Sequence, residues 1–186
     1  MTKNNLKSKE GFTIIEVVLV LAIAGLIFLM VFIAFPGLQR GQRDTQRRND
    51  MSRFISQLSQ YQTNNRGQVP TSGTEFKKFV ANYLVMGSYD STSNTYSNMK
   101  DTFNDPSTGE VYNIFSVTKC DSTKCDGSNE PTPKIDPSNS EFAGQGAIFI
   151  YTNATCQGEK PVYSQGDRKI AIRIKLEGAG VYCGNN

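Results

Sequence analysis

The sequence predicts an α+β protein in which one long N-terminal helix packs, through its C-terminal half, against an antiparallel β-sheet. The first observation is an uncharged, almost wholly apolar run over residues 17–35 of the 186-residue chain. The second is a set of apolar residues at helical spacing that continues to about residue 64. The third is a series of short strand-like stretches, separated by turn residues, after residue 110.

The apolar run has the length of a membrane span. Residues 17–35 would form about 28 Å of helix, close to the thickness of a bilayer's hydrocarbon core. Glu16 stands at its start, although a carboxylate deep in such a helix costs about 2.5–3.5 kcal/mol. One interpretation is that Glu16 lies at the membrane interface and reaches water. Another is a secretory signal peptide cleaved at Ala22-Ile23-Ala24, which would leave residues 25–35 as an apolar N-terminus without a use.

The residues before Glu16 support a third interpretation. Gly11-Phe12-Thr13-Ile14-Ile15-Glu16 follows a short basic leader that holds Lys3, Lys7 and Lys9. This stretch resembles the cleavage motif of type IV prepilins and pseudopilins. The resemblance implies that a membrane-bound prepilin peptidase cuts after Gly11 and leaves the apolar run intact. It also implies that Phe12 becomes the N-methylated first residue of the mature chain.

The same resemblance implies a role for Glu16 in assembly. In the family, this acid is thought to pair with the N-terminal amine of a neighbouring subunit, here the ammonium of Phe12. Two unit charges about 4 Å apart attract by about 4 kcal/mol at an effective dielectric constant near 20. Because desolvation opposes that attraction, the pair is expected to act mainly by setting the register between helices.

The predicted organisation has three parts: a leader over residues 1–11, a long helix over 12–65 with its membrane span at 12–36, and a globular head over 66–186. The Lys/Arg count argues weakly against export, because five arginines lie within residues 40–53 and only three lysines precede the span. Large domains are exported largely regardless of flanking charge, and the motif and the cysteines favour export. The expected location is the cytoplasmic membrane with the head outside, and then an extracellular pilus.

Two residues are expected to distort the long helix. Pro36 removes an intrahelical hydrogen bond and crowds the preceding turn. The resemblance adds Gly25, because pilins often carry glycine and proline in this span. Beyond them, Arg40–Asp44 and Asp44–Arg48 have the spacing of ion pairs on one solvated helix face. Apolar residues also fall on one helical face: Met51, Phe54, Ile55, Leu58 and Tyr61.

The rest of the chain predicts one short helix and several strands. Asn64-Asn65-Arg66-Gly67 ends the long helix. Ser72 and Glu75 fit a capping box for a second helix, with Gly87 as its stop. Residues 88–109 are expected to be turns, ending in an Asp-Pro-x-x-Gly turn at 105–109 that also occurs in pilin heads. The strands are predicted at 111–118, 147–152, 161–163, 168–176 and 181–183, paired as an antiparallel sheet.

Four cysteines allow three disulfide pairings. Sequence neighbours are the economical choice, which pairs Cys120 with Cys125 and Cys156 with Cys183. A disulfide near the C-terminus is also similar to many pilin heads. The alternative is a four-cysteine zinc site, although the spacing lacks the paired short knuckles of such sites.

Composition argues against an enzyme. The chain has no histidine, which removes Ser-His-Asp and Cys-His arrangements, and it contains no phosphate-binding glycine loop. No cofactor or metal is expected, with calcium at loop aspartates (Asp101, Asp105, Asp126, Asp136) as an alternative. Without residues 1–11 the formal net charge falls from +3 to +1, so binding of DNA has no support from net charge.

The expected function is therefore that of a structural subunit of a type IV pilus, a homo-oligomeric filament used for adhesion, motility or DNA uptake. The resemblance implies prepilin peptidase, the pilus assembly platform and its ATPase as partners. A minor pilin or a type II secretion pseudopilin is a closely related alternative. A membrane-tethered binding domain that never polymerises is an alternative of a different class.

Overall fold

The computed structural model describes residues 11–123, 125, 146–166, 168–178 and 180–186. The chain divides between Gln39 and Arg40 into two compact units. The N-terminal unit, described from residue 11 to 39, is helical from Ile14 onward. The C-terminal unit, Arg40–Asn186, contains all the strands that the structure describes.

Helix α1, Ile14–Asn64, includes Pro36 among its helical residues. It ends where the sequence predicts an end, in a turn where the Gly67 N–H donates to the Gln62 carbonyl at 2.7 Å. Arg66 and Gly67 have φ angles of 56° and 80°, the left-handed region that closes a helix.

Helix α2, Gly73–Phe79, has the predicted capping box between Ser72 and Glu75, and it continues into a π-helical turn, Val80–Leu84. The Asp-Pro-x-x-Gly turn is also confirmed, because the Gly109 N–H donates to the Asp105 carbonyl at 2.8 Å.

The strands form one larger sheet and two hairpins. The four-stranded sheet has the order β3-β4-β7-β8 and the hairpins are β1-β2 and β5-β6. Their bounds are β1 Ser88–Asp90, β2 Thr95–Ser97, β3 Asn113–Lys119, β4 Ala147–Thr152, β5 Ala154–Gln157, β6 Lys160–Tyr163, β7 Ile170–Lys175 and β8 Val181–Asn185.

The prediction of an antiparallel sheet is wrong for one strand pair. Strand β3 runs parallel to β4, with Asn113 opposite Ala147 and Lys119 opposite Thr152. The other two pairs of the sheet are antiparallel, so the sheet is mixed. Alternating apolar and polar residues predict a strand but not its direction. The long connection over residues 120–146 is what permits a parallel crossover.

Three strands were not predicted. The hairpin β1-β2 lies in the stretch expected to be turns, and its strands of three residues are too short to show an apolar alternation. Strand β5 follows β4 after Asn153, which takes a φ of 57°. A short strand that begins directly after a tight turn has no apolar pattern of its own to identify it.

The core of the C-terminal unit joins α1 to the sheet. Met51, Phe54 and Leu58, the predicted apolar face, are at most 1% exposed. They share one cluster with Ile148 and Ile172 of the sheet and with the aromatic side chains of α2. The predicted α+β class and the packing of the C-terminal half of α1 on the sheet are therefore confirmed.

The cysteines form two disulfides in the pairing that sequence proximity favours. Cys120 bonds Cys125 within a short loop, and Cys156 bonds Cys183, 27 positions later. This pairing leaves no free thiol for a zinc site.

We expect the longer loop to make the larger contribution to stability. Replacing Cys156 and Cys183 together with serine should lower the free energy of unfolding by about 3 kcal/mol, because the open loop gains entropy in the unfolded chain. The matched double replacement of Cys120 and Cys125 should cost about 2 kcal/mol on the same account. Urea unfolding followed by circular dichroism measures both. An equal or reversed order would contradict the entropic explanation.

Candidate functional site

The N-terminus of α1 carries a reciprocal cap between Thr13 and Glu16. The Thr13 backbone N–H donates to Glu16 Oε2 at 2.9 Å, and the Thr13 hydroxyl donates to the same oxygen at 2.8 Å. In return, the Glu16 N–H donates to Thr13 Oγ1 at 3.4 Å. This arrangement is a capping box, which satisfies backbone N–H groups that the first turn of a helix leaves without partners.

This cap was not predicted. Its signal is present in Thr13-Ile14-Ile15-Glu16, which has the hydroxyl–x–x–acid spacing of a capping box. The cap gives Glu16 a local reason to stand at the start of an apolar helix. Because it uses only Thr13 and Glu16, the cap would survive removal of residues 1–11. Glu16 Oε1 takes part in none of the three bonds, so it can accept from a further donor.

The helix that follows the cap presents apolar side chains on every side. Phe28, Met30 and Phe32 are 65%, 74% and 75% exposed. An 18-residue window of α1 reaches a mean hydropathy of 3.2 with none of it buried. By length and composition, this helix could cross a membrane. A soluble monomer rarely exposes a continuous apolar surface of this kind, which requires lipid or other protein around it.

Gly25 and Pro36 lie within this exposed stretch, and a Cβ added at Gly25 would meet nothing within 4 Å. The predicted kink at these two residues stays a prediction. Cleavage after Gly11 and methylation of Phe12 also stay predictions.

The C-terminal unit holds a second group of functional side chains, an ion-pair network centred on Arg47. This guanidinium is 2% exposed and makes a two-point contact with Asp105, itself 1% exposed. Arg47 Nε donates to Oδ2 at 2.7 Å and Nη2 donates to Oδ1 at 3.0 Å. Arg47 Nη2 also donates to Glu177 Oε1 at 2.8 Å, so α1 is tied to both the 105–109 turn and the β7–β8 turn.

The network extends along α1 toward its N-terminus. Arg43 donates to both carboxylate oxygens of Glu177, at 2.9 and 3.0 Å from Nε. Asp44 accepts the backbone N–H groups of Glu177 and Gly178, each at 2.8 Å. The network therefore joins three acidic and two basic side chains.

This network corrects the predicted ion pairs of α1. Asp44 pairs with Arg47 at i,i+3 instead of with Arg40 and Arg48, and the guanidinium of Arg48 lies over the Tyr182 ring. The face predicted to be solvated is in part buried. Helical spacing shows which side chains can meet along α1, but it does not show that Asp105 and Glu177 approach from elsewhere in the chain.

Burial alone would raise the pKa of the Asp105 carboxyl, but hydrogen bonds from Arg47 and Ser107 outweigh it and hold that pKa below its usual value. Burial would likewise raise the pKa of the Glu177 carboxyl, but the hydrogen bond from Arg43 and the charge of Arg47 outweigh it and lower that pKa. Both carboxyls are therefore ionised at neutral pH.

Of the four aspartates considered as calcium ligands, the two that the structure describes both bind arginine. Asp105 pairs with Arg47 and Asp101 pairs with Arg53. Asp126 and Asp136 lie outside the described residues. Within the described ranges, no group of three or more His, Cys, Asp or Glu side chains is placed to hold a metal ion.

Comparison with known proteins gives no match: no family model fits the chain, and no curated protein or solved structure is significantly similar to it. Its function must be inferred from its own residues.

Proposed function

We propose that the chain is a structural subunit of a type IV pilus, assembled through its exposed N-terminal helix into a surface filament. One observation carries this proposal. An acid, Glu16, stands at the start of a helix whose N-terminal half is apolar and exposed, four residues after a phenylalanine that follows a glycine. Cleavage after Gly11 would place a new ammonium on Phe12 in the same short stretch.

The proposed sequence of events begins in the membrane. Prepilin peptidase hydrolyses the bond between Gly11 and Phe12, and the freed amine of Phe12 is methylated. The apolar helix holds the subunit in the cytoplasmic membrane, with the globular part outside. The assembly platform and its ATPase then transfer the helix from lipid to the filament, where apolar helices of other copies replace the lipid.

Glu16 would guide this transfer by its charge. An unpaired carboxylate among apolar helices is unfavourable, so a subunit is stable in the filament only where a neighbour's Phe12 ammonium lies close. Oε1, which takes no part in the cap, is the acceptor that such an amine could reach while Oε2 keeps the helix capped. Glu16 could thus cap its own helix through Oε2 and pair with a neighbouring subunit through Oε1.

A specific observation supports the alternative of a membrane-tethered domain that does not polymerise. The capping box explains the position of Glu16 without a second subunit. A minor pilin or pseudopilin shares the physical chemistry of the main proposal and differs in copy number and fibre length.

The N-terminus of the mature protein tests the proposal. Fibres sheared from the cell surface should yield this chain as a main component, beginning at N-methylated Phe12 in a mass-spectrometric analysis. A Gly11→Val variant, which removes the residue before the cut, should stay in the membrane and keep the leader. A mature chain that begins at Met1 or Gly25 would contradict the proposal.

A further inference from the structure

The turn that ends α1 carries an arginine where glycine is favoured. Arg66 occupies the left-handed position of this turn, with a φ of 56°. Glycine is the usual residue there, because a side chain in the left-handed region is strained. The Arg66 side chain is exposed. An exposed arginine held in an unfavourable backbone conformation suggests that its guanidinium has a function, such as binding a ligand.

A second arginine is anchored beside this turn. The Arg168 carbonyl accepts hydrogen bonds from the side chains of Gln62 and Asn186, at 2.8 and 2.9 Å. Its guanidinium lies against the Gly67 backbone, where Cζ would be 2.5 Å from a Cβ placed on residue 67. Gly67 is therefore required for the position of Arg168 as well as for the turn. In the part of the chain that the structure describes, neither Arg66 nor the guanidinium of Arg168 has a hydrogen-bond or ion-pair partner.

Both arginines line one groove of about 590 Å³, within the range of small-molecule sites. The other lining residues are Tyr61, Gly67, Gln68, Val69, Thr71 and Glu75. Oε2 of the Glu75 carboxylate accepts the Thr71 N–H at 2.6 Å and the Thr71 hydroxyl at 2.9 Å, and Oε1 takes part in neither bond. Two cations and one anion leave the groove with a single excess positive charge.

We propose that this groove binds an acidic saccharide through its carboxylate. Guanidinium groups match the two oxygens of a carboxylate in geometry and charge. One excess positive charge suits a single carboxylate better than the successive phosphates of a nucleic acid, which Glu75 would repel. Gln68, Thr71 and Glu75 supply donors and acceptors for the hydroxyl groups of a sugar ring. The groove lies within the C-terminal unit, and the inference does not depend on the proposed function.

Calorimetric titration of the full-length chain tests the proposal in micelles of an uncharged polyoxyethylene detergent, which carries no sugar. The probes are D-glucuronate, D-glucose, inorganic phosphate and a thymidylate hexamer. Glucuronate should bind saturably and more weakly at higher ionic strength. Glucose, which lacks the carboxylate, should bind at least about ten-fold more weakly.

Two variants locate the site. Arg168→Gln should weaken glucuronate binding by about ten-fold, since one charge-assisted contact is lost. Arg66→Gly should weaken binding similarly while the melting temperature is kept or raised, because glycine favours the left-handed conformation. A variant that failed to fold would lose both binding and melting temperature, so the two measurements together distinguish loss of the site from misfolding. Arg40→Gln removes the same charge outside the groove and should change binding less than two-fold.

Two results would overturn the proposal. If glucuronate shows no saturable binding, or binding that Arg66→Gly and Arg168→Gln leave unchanged, the groove is not a carboxylate site. If phosphate or the thymidylate hexamer binds these arginines as tightly as glucuronate, the ligand is a phosphate compound and the saccharide assignment fails.

Discussion

Replacing Arg47 with methionine should lower the free energy of unfolding of the C-terminal unit by about 3–5 kcal/mol, the cost of removing one partner from a buried ion pair. Methionine fills much of the same volume, but Asp105, 1% exposed, would lose its two-point partner. Glu177 would keep only Arg43. Urea unfolding, followed by the near-ultraviolet circular dichroism of the tyrosines, measures the change.

Arg40→Met is the matched control. Arg40 lies on the same helix two turns earlier and is exposed, so its replacement should change the free energy of unfolding by about 0.5 kcal/mol at most. A comparable loss in both variants would show that positive charge on α1, and not the buried network, stabilises the unit.

The same network predicts how stability depends on pH. The pKa values of Asp105 and Glu177 are lower in the folded than in the unfolded protein. Their stabilisation is present above the unfolded-state pKa values, near 4, and is lost as the pH falls through the folded-state values. The difference between wild type and Arg47→Met should therefore shrink on acidification below about pH 4.

One neighbouring carboxyl, that of Asp50, makes the opposite contribution to the pH dependence of stability. Burial raises the pKa of Asp50, although the Tyr112 hydroxyl donates to it at 2.9 Å. Its protonated form is favoured in the folded protein, so its stabilising contribution is lost as the pH rises through the raised pKa. As the pH falls, the free energy of unfolding of the wild type should consequently decrease less steeply than the titration of Asp105 and Glu177 alone would give. An Asp50→Asn variant removes this contribution and should show the steeper acid dependence.

The second large effect concerns Glu16, and it separates capping from subunit pairing. Glu16→Gln should abolish surface fibres while the protein stays stable in the membrane. Glutamine can serve in a capping box, but it carries no charge to pair with the Phe12 ammonium. Thr13→Val is the complementary variant, because it removes the capping hydroxyl and keeps the carboxylate. It should weaken the helix start by about 1 kcal/mol and still permit fibres.

Electron microscopy of surface fibres, together with immunoblots of membrane fractions, measures both variants. If Glu16→Gln cells produce normal fibres, the charge has no role in assembly and Glu16 is only a cap. If Thr13→Val and Glu16→Gln lose fibres equally, the start of the helix, and not the ion pair, is what assembly requires.

Local features were readable from the sequence. The α2 capping box needs only Ser72 and Glu75, and the end of α1 needs only the turn at residues 64–67. The apolar face of α1 follows from the spacing of Met51, Phe54 and Leu58. The cap between Thr13 and Glu16 is equally local, because its hydroxyl–x–x–acid spacing lies within four residues.

The apolar N-terminal helix, its capped acid and the turns that end the helices follow from the sequence, because each depends on residues a few positions apart. The direction of β3, the partners of Arg47 and the groove between Arg66 and Arg168 are known only from the folded structure. Asp105 lies 58 positions from Arg47 and Glu177 lies 130 positions from it. No spacing rule connects residues so distant, since their meeting depends on how α1, the turns and the sheet pack around one core.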